Sequence, residues 1–459
     1  MEHDGKGIKV TVIGGGSSYT PELVDGILRR KDTLPVRELW LLDIPGGEKK
    51  LSVIAAFAGR MAKKAGSGIR VHPSLDRRAA LEGADFVLSQ FRVGGLSGRA
   101  RDEAVPLKYG IIGQETTGPG GYAYALRTLP VIFDICRDIE ELSPKAWLIN
   151  FTNPAGIITE GILNHTGVRA IGLCNGPITT KRAIAALLEV EPRRIGAEFV
   201  GLNHMSFVRD VTLDGKSIIN DLIDLYEKAE GEAREKLRLV SDVLWDPWFI
   251  RSLGMLTNFY HRYYFKCRTM LEEQEENHRQ NGSRALVVQE IERKLFELYA
   301  DESVDEKPAE LEQRGGAYYS EAAVALIDAI YNDRNEIHTV NVLNRGTISD
   351  LPYNAVIETN ALIGAAGASP LVIGKMPEKV AGLIGYVKTY EQLAVKAAVN
   401  RSYDDALAAM ISNPFVNDYE TAKMMMDEFI AVHKPLLDYL GKSTPAAARI
   451  PRRAETRTW

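Results

Sequence analysis

Residues 8–23, IKVTVIGGGSSYTPEL, constrain this chain more than any other stretch. The β-branched residues Ile8, Val10, Val12 and Ile13 predict a strand. Gly14, Gly15, Gly16, Ser17 and Ser18 follow as a tight turn, and Tyr19-Thr20-Pro21-Glu22 reads as a helix start. Strand, glycine turn and helix N-terminus in this order place a phosphate on the helix dipole. Glycines at 14 and 16 let the backbone turn sharply and approach a pyrophosphate. Tyr19 stands where the third glycine of G-x-G-x-x-G belongs, so the turn alone is equally an ordinary strand-to-helix connection. A second strand adds weight. Residues 39–43, LWLLD, are apolar and end in Asp43, where a ribose 2′-hydroxyl would be gripped. The spacing from Gly16 exceeds the usual value of about 20 residues, with residues 31–35 as a surface insertion. An acid at this point selects NAD over NADP; the competing reading is a turn cap.

The rest of the first half alternates apolar strands with helical patterns, at residues 51–66 (helix), 84–91, 147–151 and 170–173 (strands). This predicts an α/β fold: a Rossmann-like doubly wound sheet domain over residues 1–198, then a mixed α/β substrate domain over residues 199–459. Three strands end in polar clusters, Gln90-Phe91-Arg92, Asn150-Phe151-Thr152-Asn153-Pro154 and Cys174-Asn175-Gly176-Pro177, where open α/β sheets bind ligands. Between them, residues 93–121 read as a long irregular binding loop rich in Gly, Gln, Glu and Thr. Beyond residue 200 the pattern predicts a charged helix over 222–241, a long charged helix over 271–299, an acidic surface linker over 301–312 and a frayed tail over 445–459. Met410 and Met424-Met425-Met426 fall at helical spacing and read as core. No repeat is present.

Composition excludes several function classes. The chain has 459 residues, 45% hydrophobic and 25% charged, with net charge -5. Mild acidity leaves no nucleic-acid footprint. No run approaches the roughly 20 apolar residues of a membrane span, and MEHDGKG is too polar for a secretory leader. Three cysteines, Cys136, Cys174 and Cys267, make no disulfide framework and point to a reducing cytoplasm.

Cys174 and His204 offer a thiolate and an imidazole, suited to a first-row divalent metal. Neither sits in a C-x-x-C or H-E-x-x-H pattern, so a buried thiol and a structural histidine fit as well. Tyr260, Tyr263 and Tyr264 form a cluster with Asn258, His261 and Arg262. A tyrosine base needs its pKa lowered by roughly three units, about 4 kcal/mol, which requires a nearby cation; otherwise the cluster is aromatic packing. Arg92, Arg284 and Arg314 are candidate anion binders, each equally a surface ion pair.

Eight ordered motifs now stand together: GGGSSYTPEL (14–23), QFRVGGL (90–96), IGQETTGPGG (112–121), NFTNPAG (150–156), CNGP (174–177), GLNHMSF (201–207), NFYHRYY (258–264) and RGGAYYS (314–320). On these the chain resembles the NAD- and manganese-dependent glycosidases of glycoside hydrolase family four, from Val10 to about Leu440. Tyr19 in place of the third glycine is usual in the subgroup it resembles, the 6-phospho-β-glucosidases. Asn175 tilts the reading towards β, since α-specific relatives tend to carry aspartate there. The resemblance implies Cys174 and His204 as metal ligands, with sugar oxygens and water completing the shell. Tyr260 becomes the base, with Asn175 beside it in the catalytic group. Asn153, Asn175, Arg92 and Arg284 line the sugar or its phosphate, as do Glu115 and Arg314. Gly14, Gly15, Gly16, Ser17, Ser18, Asp43 and Asn153 serve NAD.

The implied chemistry departs from the two-carboxylate scheme general among glycosidases. Oxidation at C3 of a phosphorylated disaccharide or aryl glycoside makes the C2 proton removable. Elimination, water addition and re-reduction then follow, with no net redox. The resemblance implies a homodimer or homotetramer. The alternative is a malate- or lactate-type NAD-dependent dehydrogenase, which predicts net hydride transfer and leaves Cys174 unexplained. A non-catalytic NAD-binding regulator is a third class and should tolerate loss of Tyr260.

Overall fold

The computed structural model describes residues 7–282, 284–314 and 318–441. Six parallel strands form the first half: β1 (Ile8–Ile13), β2 (Val36–Leu42), β3 (Arg70–Ser74), β4 (Phe86–Ser89), β5 (Trp147–Asn150) and β6 (Arg169–Gly172). They lie in the order 3-2-1-4-5-6, the doubly wound arrangement whose strand order reverses between β1 and β4. The central strands are mostly apolar and buried because helices cover both faces. Every residue of β4 and β5 is buried. The predicted fold class is therefore the observed one.

A three-stranded antiparallel sheet follows, β7 (Ile195–Leu202), β8 (Met205–Leu213) and β9 (Lys216–Ser217). The chain then returns to the large sheet. Strands β10 (Glu336–Leu343), β11 (Val356–Gly364) and β12 (Gly367–Pro370) extend it to nine, with β10 antiparallel to β6 at Asn341 and Gly172. Asn360 on β11 ties in the smaller sheet: its Oδ1 accepts from Phe199 N at 2.8 Å and its Nδ2 donates to Ala197 O at 2.9 Å. Both large cores mix the halves. Tyr122 and Leu148 pack with Ala394, Met410 and Phe429 on one face; Val10 and Leu41 pack with Leu295, Val324 and Ile363 on the other. The boundary at 198/199 falls within β7, and sheet and cores continue across it.

Several expectations on local structure are corrected. Residues 93–121 are largely helical: a helix Gly95–Leu107 precedes the long helix Gly118–Leu142, leaving 93–94 and 108–117 irregular. The first helix hides from apolar periodicity because Arg99, Asp102 and Glu103 fill its buried positions as ion pairs. The expected helix over 222–241 is three shorter ones, Ile219–Lys228, Gly231–Lys236 and Arg238–Ser241, broken at Gly231 with φ +53°. That over 271–299 is two, Cys267–Asn281 and Arg284–Ala300, separated at Gly282 with φ +71°. A positive φ suits glycine and ends an α-helix. The acidic linker packs onto the fold rather than floating, with Asp305 on Lys64 at 2.6 Å and Lys307 on Glu22 at 2.8 Å. Met410, Met425 and Met426 are core, whereas Met424 is exposed. The tail over 445–459 lies outside the described residues.

One ion pair locks helices on the site side of the sheet. Arg127 in Gly118–Leu142 forks onto Asp102 in Gly95–Leu107 at 2.7 and 2.6 Å, both side chains fully buried. His433, after the helix Tyr419–Val432, reaches Asp102 Oδ1 at 2.9 Å. Removing one charge strands the other out of water. Asp102→Asn should therefore lower unfolding free energy by about 3–5 kcal/mol, read by urea denaturation. A loss below about 1 kcal/mol would show that the pair does not hold these helices, because that is the range of solvent-exposed pairs.

Candidate active site

The turn after β1 is pinned to the end of β2. Gly14 N and Gly15 N both donate to Leu42 O, at 2.9 and 2.8 Å, and Gly16 N donates to Asp43 Oδ2 at 2.8 Å. A Cβ on Gly16 would lie 2.7 Å from that oxygen, and one on Gly15 would lie 2.7 Å from Leu41 Cα. Only glycine allows this approach. Asp43 Oδ1 accepts from Ile44 N at 2.8 Å, so both carboxylate oxygens face backbone donors. Thr20 Oγ1 donates to Gly15 O, and Gln90 Nε2 donates to Thr20 Oγ1, both at 2.9 Å. Ser17 Oγ accepts from Tyr19 N at 3.2 Å. Ser18 is buried, its hydroxyl donating to Glu292 Oε1 at 3.0 Å and its carbonyl accepting from Tyr299 OH at 3.0 Å. A groove of about 730 Å³ runs beside the turn, lined by Lys50, Val53, Leu96, Ser97, Glu292 and Phe296. A tight glycine turn, a following helix N-terminus and an adjacent acid suit a dinucleotide.

The second cluster forms where β6 ends and the β7–β8 hairpin turns. Cys174 is half-buried two residues beyond β6, its Sγ accepting from Gly176 N at 3.3 Å. Burial, then the charge of Glu358, push its thiol up to about 12. His204 occupies the hairpin turn with φ +63°, and its ring lies face to face on Tyr260, centroids 3.7 Å apart and 15° from parallel. Burial pushes its imidazole down to about 3, so it is neutral and has a lone pair to give. Burial, with the charges of Cys174 and Glu115, drives the Tyr260 phenol up, and a hydrogen bond from Thr116 opposes this.

Asn258 fixes the tyrosine to the hairpin. Its Oδ1 accepts from Tyr260 N at 2.8 Å, its Nδ2 donates to Ser206 O at 2.8 Å, and its own N–H donates to His261 Nδ1 at 2.9 Å. His261 stacks in turn on Phe207 at 3.9 Å. Two rings of one hairpin, His204 and Phe207, thus hold two successive rings of the NFYHRYY segment. Among the described residues no three His, Cys, Asp or Glu side chains form a metal site. Cys174 and His204 fit a divalent first-row metal as a pair, and the remaining positions would need water or ligand oxygens.

The arginines take different places. Arg92 stacks on Tyr124 at 4.4 Å and pairs with Glu115, while its buried Nη1 has no hydrogen-bond partner among the described residues. From Glu115 a chain runs outward: Arg99 Nη1 at 3.0 Å, Glu103 onto Arg99 Nε at 2.7 Å, and Ala285 N donating to Glu103 Oε2 at 3.3 Å. Arg284, exposed at the first position of Arg284–Ala300, stands next to that contact. The Arg314 side chain lies outside the described residues. Asn153 follows β5 and donates from Nδ2 to Phe151 O at 3.3 Å; Asn175 precedes the helix Gly176–Leu187, its Oδ1 3.9 Å from Cys174 Sγ.

Thr116, Asn203 and Glu358 have no assigned role in the sequence reading, and Asn258 enters it only as a neighbour of the tyrosine cluster. Thr116, Asn203 and Asn258 sit inside motifs that carry the resemblance, so position there is their signal. Glu358 has none beyond being an acid within the apolar strand β11.

Comparison with known proteins agrees with this geometry. Sequence models described as "Family 4 glycosyl hydrolase" and "Family 4 glycosyl hydrolase C-terminal domain" match residues 9–190 and 199–416. A probable 6-phospho-β-glucosidase of Bacillus subtilis is 49% identical over 435 residues, 94% of this chain and 98% of that one. The 6-phospho-β-glucosidase of Escherichia coli is 44% identical, covering 94% and 96%. The 6-phospho-β-glucosidase of Thermotoga maritima, solved with manganese, NAD+ and glucose-6-phosphate, superposes with TM-score 0.85 at 35% identity, covering 95% and 100%. Matched by these family models and relatives along nearly its whole length, this chain is a member of glycosyl hydrolase family 4.

Proposed function

We propose that this protein hydrolyses 6-phospho-β-glucosides by transient oxidation at C3, elimination and water addition. The observation that carries the reading is the His204–Tyr260 stack beside Cys174. The relatives at 49% and 44% identity carry the β name, and Asn175 agrees. The close backbone approach that the glycine turn allows and the dipole of Thr20–Arg29 would hold the pyrophosphate of NAD, Asp43 a ribose hydroxyl, and the groove along Val53 and Leu96 the adenosine. Arg92 and Arg284 would receive the 6-phosphate, and Asn153 and Asn175 the sugar hydroxyls, with Glu115 at the same end. Cys174 and His204 would hold Mn²⁺ or a similar divalent ion. Bound there, NAD supplies a hydride acceptor and the metal supplies Lewis acidity at the C3 oxygen.

What the chain itself does is remove the C2 proton. Next to a ketone that proton is acidic, and Tyr260 is the base. Burial drives the phenol the wrong way for this role, so its ionisation requires the cation that the neighbouring pair would bind. Loss of the C1 oxygen by elimination needs no pair of catalytic carboxylates. A malate- or lactate-type dehydrogenase would use the same sheet but has no task for Cys174 or for a stacked phenol.

A cytoplasmic location belongs to the same reading. Cys136, Cys174 and Cys267 are all free thiols, and no helix of the described residues is long and apolar enough to cross a membrane. So does a homodimer or homotetramer, for which Ile337, Leu371 and Val372, exposed at the β10–β12 end of the sheet, offer apolar surface.

Two variants test the assignment. Tyr260→Phe should lower kcat on an aryl 6-phospho-β-glucoside by about 10²–10⁴-fold, the usual worth of a general base, with NAD affinity unchanged. Turnover within threefold of wild type would remove Tyr260 from the chemistry. Asp43→Ala should weaken NAD by about 1–3 kcal/mol, because the Gly16 N–H and a ribose hydroxyl both lose an acceptor. An unaltered NAD dissociation constant, read by protein fluorescence, would refute the role of Asp43.

A further inference from the structure

Glu358 is a carboxylate almost wholly out of water, 2% exposed, on β11, one strand in from the edge of the nine-stranded sheet. Its hydrogen-bond donors are neutral. Asn203 Nδ2 donates to Oε1 at 3.0 Å, Ser206 Oγ to Oε2 at 2.6 Å, and Asn341 Nδ2 to Oε1 at 3.4 Å. Among the described residues no lysine, arginine or histidine pairs with it. A buried carboxylate without a cation is costly, and chains rarely keep one without a use.

The donors show where it acts. Asn203 and Ser206 flank His204 in the β7–β8 turn, so both oxygens clamp the short segment that carries the imidazole. Asn203 also hydrogen-bonds Cys174, and its Oδ1 accepts from Gly156 N at 3.2 Å. Across the sheet, Glu358 faces Asn341 on β10, and Asn341 faces Gly172 on β6, two residues before Cys174. There is no room to slide: a Cβ on Gly172 would lie 2.8 Å from Asn341 Cβ. One carboxylate is therefore joined to the segments of both Cys174 and His204, which approach from different sheets.

We propose that Glu358 is a positioning residue for the metal pair, clamping the His204 turn against the Cys174 strand end and contributing a buried negative charge that draws a divalent cation to them. This rests on Cys174 and His204 being the metal ligands. The charge is stabilised when the cation arrives, and the clamp fixes the two ligands at one separation beforehand. Carboxylates behind metal ligands commonly set affinity in this way.

The test is a Mn²⁺ titration of the purified full chain with NAD and glucose 6-phosphate present, reading free Mn²⁺ by electron paramagnetic resonance. Glu358→Gln keeps the shape and loses the charge; Glu358→Asp keeps the charge and shortens the reach; Cys174→Ser removes a ligand. Glu358→Gln should weaken Mn²⁺ by about 10–100-fold, with NAD affinity within twofold of wild type and kcat recovered at saturating Mn²⁺. Glu358→Asp should fall between it and wild type. Wild-type Mn²⁺ affinity in Glu358→Gln, with Cys174→Ser impaired, would overturn the role of Glu358 alone. Wild-type affinity in both would overturn the ligand pair as well. Equal loss of NAD and Mn²⁺ binding in Glu358→Gln would reduce Glu358 to a folding residue and overturn the proposal too.

Discussion

A phenol stacked 3.7 Å from an imidazole, both withdrawn from water, is the contact on which the rest of the site depends. Burial keeps His204 neutral and Tyr260 protonated, and it holds the Cys174 thiol up as well. Each of the three is thus in its uncharged form with no cation beside it. In the proposed reading Cys174 and His204 would hold a divalent ion, which would accept the lone pair of the neutral imidazole and favour the thiolate and the phenolate.

The sheet explains how such distant residues meet. Parallel strands deliver their following loops to one edge, so Gly14–Gly16, Gln90–Arg92, Asn153 and Cys174 arrive together. His204 comes from a separate sheet and is held in place through β11, which the chain adds late as part of the large sheet. The helix Arg284–Ala300 spans the remaining distance. It begins at Arg284, beside the Glu103–Arg99–Glu115–Arg92 chain, and ends at Tyr299 under Ser18 of the cofactor turn. The proposed substrate-phosphate and cofactor ends of the site would therefore be built on one rigid element.

Much of this was legible because the central strands are buried on both faces and appear as unbroken apolar runs. The glycine turn was legible because only glycine fits against Leu41 and Asp43. The helix Gly95–Leu107 was not, because its inner face is Arg99, Asp102 and Glu103, whose pairing partners lie on the same helix, in the following loop and on the next helix. Nor was Glu358, whose meaning comes from Asn203 and Ser206, more than 150 residues away. The Cys–His pair lacked a motif for a physical reason. A site that leaves positions to its ligand needs only two side chains, one from each of two sheets, and their spacing in the chain is then unconstrained.

The account stands on C2 deprotonation by the stacked tyrosine. The direct measurement is turnover of an aryl 6-phospho-β-glucoside in D₂O with NAD, Mn²⁺ and a thiol reductant, followed by proton magnetic resonance of the glucose 6-phosphate formed. Deuterium at C2 of the product, with no net NADH, is the predicted result. Phenol release with protium retained at C2 would contradict the account, because the glycosidic bond would then have broken without the step that this site is built to perform.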